Sequence, residues 1–170
     1  MHFTSDTPRP SDQTSVSMIV RTPLGFVKIV EQDHMISELS FAEKPEKEEN
    51  HESPVLKEAK RQLLEYMAGA RKAFDLPMKE QGTAFQKKVW QALRSIPYGE
   101  TRSYKQIAEM IGNPKAARAV GMANNKNPIL LLTPCHRVLG SNGQLVGFAA
   151  GIDLKKELLK IENSKVLFTD

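Results

Sequence analysis

Cysteine occurs once in the 170 residues, at Cys135, and the next residue is His136. A thiol beside an imidazole suits nucleophilic chemistry, because the thiolate is the reactive form and a base must generate it. A lone cysteine more often just packs, so its flanks decide. Upstream runs the apolar stretch Pro128-Ile129-Leu130-Leu131-Leu132-Thr133. This stretch predicts a buried strand, stopped by Pro134, which cannot donate to a ladder. Cys135 is therefore expected at a strand end. A single cysteine excludes an internal disulfide and the usual Cys-rich zinc centre, and argues for a reducing compartment. His2, His34, His51 and His136 lack ligand spacing. No metal and no cofactor is expected.

Charge is uneven along the chain. Residues 1–80 hold 11 basic against 14 acidic side chains, and residues 81–170 hold 13 against 6, so the thiol lies in the basic half of a chain of net charge +4. A basic half suits a polyanion such as nucleic acid. With 40% hydrophobic and 26% charged residues, the composition is that of a soluble globular protein. No apolar stretch approaches the roughly 18 residues of a membrane span, and Met1 to Ser17 lacks the pattern of a signal peptide.

The elements that must position the thiol are predicted as follows. Residues 1–15 form a polar tail with Pro8 and Pro10. Strands are expected over 17–22, 26–32 and 34–41, as an antiparallel meander. Residues 43–52 are a charge-dense loop. From Pro54 the period is helical, with Val55, Ala59, Leu63, Tyr66 and Met67 on one face and Ser53 as N-cap. An irregular linker over 74–82 marks the domain boundary. Thr83 and Gln86 predict a capping box for a helix with Phe85, Val89, Trp90 and Leu93 inward, where Trp90 is expected in the core. A last helix spans 153–162, burying Leu154, Leu158 and Ile161, and 164–170 is a tail.

A short helix over 103–111, the turn Gly112-Asn113 and a second helix from Pro114-Lys115 to about Asn124 make a helix-turn-helix pattern. The second helix carries Ala116, Ala117, Arg118, Ala119, Val120, Gly121, Met122 and Ala123. A major-groove reader normally offers long polar side chains. Small residues instead let a backbone approach a minor groove roughly 6 Å wide, and an isolated Arg118 could enter the base stack. A tightly packed Ala-rich helix with one surface arginine is the plainer alternative. Asn127-Pro128 turns this helix towards Cys135.

Four segments now occur in order: Ile96-Pro97-Tyr98-Gly99-Glu100-Thr101, Asn113-Pro114-Lys115-Ala116-Ala117-Arg118-Ala119-Val120-Gly121, Asn127-Pro128 and Pro134-Cys135-His136-Arg137-Val138. The chain closely resembles the O6-alkylguanine-DNA alkyltransferases, strongly over about 74–163. The resemblance implies an α+β fold. A small antiparallel sheet plus helix, the ribonuclease-H-like domain, occupies 16–79. A mostly helical DNA-binding and alkyltransferase domain with the helix-turn-helix occupies 80–163.

The resemblance also implies a function and roles. An alkyl group, methyl preferred, moves from O6 of guanine (also O4 of thymine) in DNA to Cys135. A thioether forms that nothing in the chain reverses, so each molecule acts once. His136 would activate the thiol through a water, held by Glu162, with Tyr104 and Asn127 completing the catalytic set. Arg118, Ala117, Ala119, Gly121, Tyr104 and Lys115 would meet DNA. Arg118 fills the space of a flipped nucleotide. Val138, Phe148, Ala149, Ala150, Gly151 and Lys155 would line the substrate pocket, with Lys155 near its rim. Relatives often carry a polar residue and a glycine where this chain has Ala149 and Ala150, which leaves a backbone N–H to meet O6. The implied partner is double-stranded DNA without sequence preference, met by a monomer in the cytoplasm (the nucleus in a eukaryote) and away from membranes. The rival reading is a non-catalytic lesion sensor, disfavoured because such relatives lack the cysteine.

Overall fold

The computed structural model describes residues 15–44, 50–145, 148 and 150–162. The expected tails (Ser15 excepted), residues 45–49 of the acidic loop and Ala149 lie outside the described residues. Strands β1 (Ser15–Thr22), β2 (Gly25–Gln32) and β3 (Met35–Ala42) pair antiparallel in sequence order. Ser15, expected in the tail, pairs with Gln32. Asp33 and His34 both have positive φ, 54° and 62°, as a two-residue hairpin turn matched to strand twist requires. His34 therefore belongs to the turn and not to the third strand.

Helix α1 (Pro54–Met67) covers the sheet, with Leu56, Ala59, Leu63, Tyr66 and Met67 buried. Ser53 Oγ accepts from Leu56 N at 3.1 Å. Val55, expected on the buried face, is only half-buried, and Gln62 joins that face instead. Gln62 clamps the linker: its amide donates to Asp75 O at 3.0 Å and accepts from Asp75 N at 2.9 Å.

Two later segments cover the free edge of β3. Ile36 N donates to Pro77 O and Lys79 N to Ile36 O, each at 2.8 Å, while Leu39 N donates to Pro128 O and Leu130 N to Leu39 O, each at 3.0 Å. An edge strand with open backbone groups is thereby paired, and the linker and carboxy-terminal half are tied to the sheet.

The expected strand over 128–132 does not form. Ile129 makes a single parallel bridge to Leu39, and the chain then folds tightly, with Leu131 at φ 71°. Leu132 N donates to Leu130 O at 2.9 Å and Thr133 N to Ile129 O at 3.1 Å. Ile129, Leu130, Leu131 and Leu132 are all buried. An apolar run records burial on every side, which a buried knot of chain satisfies as well as a strand does. Cys135 consequently opens a one-turn 3₁₀ helix, Cys135–Arg137.

Helix α2 (Ala84–Arg94) has the expected capping box: Gln86 N donates to Thr83 Oγ1 at 3.1 Å and Thr83 N to Gln86 Oε1 at 2.9 Å. Trp90 is buried and its indole N–H donates to Ala123 O at 2.9 Å. A two-residue strand β4 (Arg102–Ser103) pairs parallel with β5 (Val138–Leu139), an element no sequence period announces. Helix α3 (Tyr104–Met110) and helix α4 (Ala117–Asn125) make the helix-turn-helix. α4 begins later than expected, because Asn113–Ala116 closes a turn through Ala116 N to Asn113 O at 3.0 Å. Pro114 takes the second position of that turn, where its fixed φ fits. Helix α5 (Ile152–Ile161) buries Lys155, Leu158 and Leu159, while Leu154 and Ile161, expected inside, are half-buried. No helix among the described residues is long and apolar enough to cross a membrane.

Candidate active site

Cys135 is 2% exposed and sits where α4, the 128–134 knot and α5 converge. Its N–H donates to Thr133 O at 2.9 Å. Asn127, two residues beyond α4, shapes the approach: its amide donates to Thr133 O at 2.7 Å and its Oδ1 accepts from Ile129 N at 3.0 Å. Burial pushes the Cys135 thiol up to about 11, against the pull of a hydrogen bond from the Asn127 side chain and the Lys155 charge. At neutral pH the protonated thiol then predominates. The resting site holds a thiol, so a base must take the proton as the sulfur reacts.

An imidazole is adjacent in the chain. His136 is buried and its Nε2 lies 2.7 Å from Glu162 Oε2. Glu162 is held well below the usual carboxylate range by the hydrogen bonds of His136 and Arg137, which outweigh its desolvation. An ionised carboxylate only accepts, so Nε2 bears the hydrogen. Nδ1 is then the lone-pair nitrogen, and it is buried without a protein partner among the described residues. Burial also lowers the His136 pKa against the pull of Glu162, which keeps the imidazole neutral and ready to accept a proton.

Sequence reasoning gave no role to four residues here. Arg137 grips Glu162 with Nε to Oε1 at 2.8 Å and Nη2 to Oε2 at 3.0 Å, and donates to Ile96 O at 2.7 Å. Tyr66, on α1, donates to Glu162 Oε2 at 2.6 Å. Tyr98 donates to Ile161 O at 3.1 Å, just before Glu162. Asn124 is buried and its amide reaches Cys135 O at 3.4 Å. A polar residue on the buried stripe Val120, Ala123, Asn124 was the available signal for Asn124. Tyr66 carried none, since a tyrosine on an apolar helix face reads as core.

Tyr104 opens α3, half-buried, with its hydroxyl pushed up to about 12 by burial and by Cys135 nearby. It shares a groove of about 620 Å³ with Lys105, Pro114, Ala117, Arg118, Gly121, Asn125 and Ser141. Arg118, Ala119 and Lys115 are exposed and Ala117 is half-buried. Val138 is fully buried in β5 and Phe148 is buried. Gly151 caps α5 at φ 106°, a conformation that favours glycine, and Ala150 before it is half-buried. Lys155, expected near a rim, is 0% exposed, with Nζ 5.9 Å from the Phe148 ring centroid. Burial brings its ammonium down to about 8.

Two family models match the chain: the ribonuclease-like domain of 6-O-methylguanine DNA methyltransferase over residues 17–79, and its DNA binding domain over residues 84–164. This chain belongs to the 6-O-methylguanine DNA methyltransferase family. Among its relatives in that family, the methylated-DNA–protein-cysteine methyltransferase of Methanosarcina acetivorans is 48% identical over 151 residues, covering 86% of this chain and 97% of the relative. The constitutive enzyme of that name from Bacillus subtilis is 49% identical over 150 residues, covering 83% and 91%. The crystal structure of Mycobacterium tuberculosis OGT in complex with DNA superposes with a TM-score of 0.79 at 41% identity, covering 86% of this chain and 91% of that one. The methyltransferase-family fold, an antiparallel three-stranded unit followed by a helical unit, is the fold seen here.

Proposed function

We propose that this protein repairs DNA by moving an alkyl group, methyl preferred, from O6 of guanine to Sγ of Cys135, once per molecule. The observation that carries this reading is the buried Cys135, next in the chain to an imidazole whose Nε2 is committed to Glu162 and whose Nδ1 has no partner among the described residues. Family membership and the relatives' names support the substrate class.

The residues divide the work as follows. His136 Nδ1 takes the Cys135 proton, relayed by a water molecule. The sulfur attacks the alkyl carbon, an S–C bond forms, and the C–O6 bond breaks with its electron pair going to guanine. Guanine leaves with one proton, donated by the Tyr104 hydroxyl, whose raised pKa keeps it protonated at neutral pH. The proton on imidazole balances the one lost by Tyr104 and returns to it through solvent. Asn127 bonds to the sulfur and Lys155 supplies positive charge as thiolate develops. Arg118 occupies the stack in place of the flipped nucleotide, while Ala117, Ala119, Gly121 and Lys115 lie against the minor groove and its phosphates. Val138, Phe148, Ala150 and Gly151 line the alkyl pocket, and O4-alkylthymine is a second substrate. The two family segments support a division into a unit over 16–79 and a repair unit over 80–163. A monomer acting on duplex DNA without sequence preference, in the cytoplasm or a eukaryotic nucleus, completes the reading.

Intact-mass analysis after incubation with duplex DNA containing O6-methylguanine is the test. One methyl mass is expected per molecule, on the peptide bearing Cys135, with no further turnover at excess DNA. Cys135→Ala should lose transfer and keep DNA binding. A wild-type protein that binds the lesion and gains no mass would instead be the non-catalytic sensor.

A further inference from the structure

Tyr66 comes from the last turn of α1, in the amino-terminal unit, yet it is 1% exposed and ends at the carboxylate that holds His136. Its ring is set by Phe74 at 5.3 Å between centroids and by an edge contact with Tyr98 at 6.4 Å. Its hydroxyl lies 2.6 Å from Glu162 Oε2 and 3.5 Å from His136 Nε2. Three donors thus converge on one oxygen: Tyr66 Oη, His136 Nε2 at 2.7 Å and Arg137 Nη2 at 3.0 Å.

We propose that Tyr66 is a positioning residue for alkyl transfer: delivered by the amino-terminal helix, its hydroxyl holds Glu162 Oε2 against His136 and moderates the carboxylate's grip on the imidazole proton. The inference rests on the transfer reading above and deepens it. A buried hydroxyl that merely found the nearest acceptor would satisfy itself and nothing more. What separates the two cases is the shared oxygen. Each donor on Oε2 withdraws charge from the carboxylate, so removing one strengthens the pull of Glu162 on the imidazolium form. The groups facing His136 are Lys155 from α5, Glu162 just beyond its end, Arg137 from the 3₁₀ turn and Tyr66 from α1. Tyr66 is the one of these that the amino-terminal unit contributes. Docking of that unit and proton transfer at Cys135 are thereby linked through one hydrogen bond.

The sign follows. Neutral His136 is the active base, so the transfer rate falls as pH drops through its pKa. Losing the Tyr66 hydroxyl raises that pKa, so the acid limb moves to higher pH. The test is the single-turnover rate on duplex DNA containing O6-methylguanine, from pH 5 to 8, for wild type, Tyr66→Phe, Glu162→Gln and the double variant. Phenylalanine keeps the ring packing, and a thermal melt confirms that each variant folds. Tyr66→Phe is expected to move the acid limb up by about one pH unit, and to have no effect in the Glu162→Gln background. An unmoved limb, or an equal fold-loss in both backgrounds, overturns the role of Tyr66. Absence of transfer in wild type would overturn the repair reading itself, so the two failures are distinct.

Discussion

Lys155 is a costly side chain to bury. A fully buried ammonium is tolerated only where a function or a partner offsets its desolvation. Here its neighbours are the Phe148 ring and the Cys135 sulfur, for which its charge favours the thiolate. The cost should show in stability against pH. Its pKa falls from 10.5 in the unfolded chain to about 8 in the fold, so above pH 8 the unfolded state binds the extra proton and stability rises with pH. The share of Lys155 in this rise is about 1 kcal/mol between pH 8 and 9. The single thiol ionises from about pH 8.5 in the unfolded chain but stays protonated to about 11 in the fold, which offsets roughly half of that gain. In Lys155→Met the rise should vanish. Denaturant melts at pH 7, 8 and 9 measure it, and an identical rise in both proteins would exonerate Lys155.

At the scale of the element, α4 is shaped by what it leaves out. A Cβ added at Gly121 would lie 3.8 Å from the Tyr104 ring, an ordinary contact. Interior packing therefore does not demand glycine there. Alanine is the better helix former by about 1 kcal/mol, so Gly121→Ala should raise the unfolding free energy by roughly 0.5–1 kcal/mol. The same methyl projects towards the groove that holds Arg118, where it would hold the helix off DNA. Transfer to duplex substrate should slow several-fold while the melting temperature increases. A stabilised variant with undiminished transfer would mean that α4 does not approach DNA along this face.

For the whole molecule, the division of charge and the division of labour coincide. The half with 13 basic and 6 acidic side chains carries the thiol and α4, while the first 80 residues supply sheet, α1 and Tyr66. Binding to DNA should fall steeply with salt, as counterion release requires, and Lys115→Gln should reduce the magnitude of the salt slope by about one. Titrations of a labelled duplex at several salt concentrations would read this, and an unchanged slope would remove Lys115 from the phosphate contacts. The same change should weaken binding to all sequences alike.

What the sequence determined by itself is local or covalent. The three strands, the caps at Ser53 and Thr83, the Asn127 turn and the Cys135-His136 pair follow from period, cap chemistry and order along the chain. The apolar run before Cys135 misled because burial on all sides has no period, so a knot closed by Leu131 looked like a strand. Only the tertiary structure decided that Glu162 meets Arg137 and Tyr66 as well as His136, that Lys155 is wholly buried, and that β3 is edged by chain from 77–79 and 128–130. These contacts join residues up to 96 positions apart. No spacing rule spans that distance, because the geometry exists only once the sheet, α1 and α5 have packed.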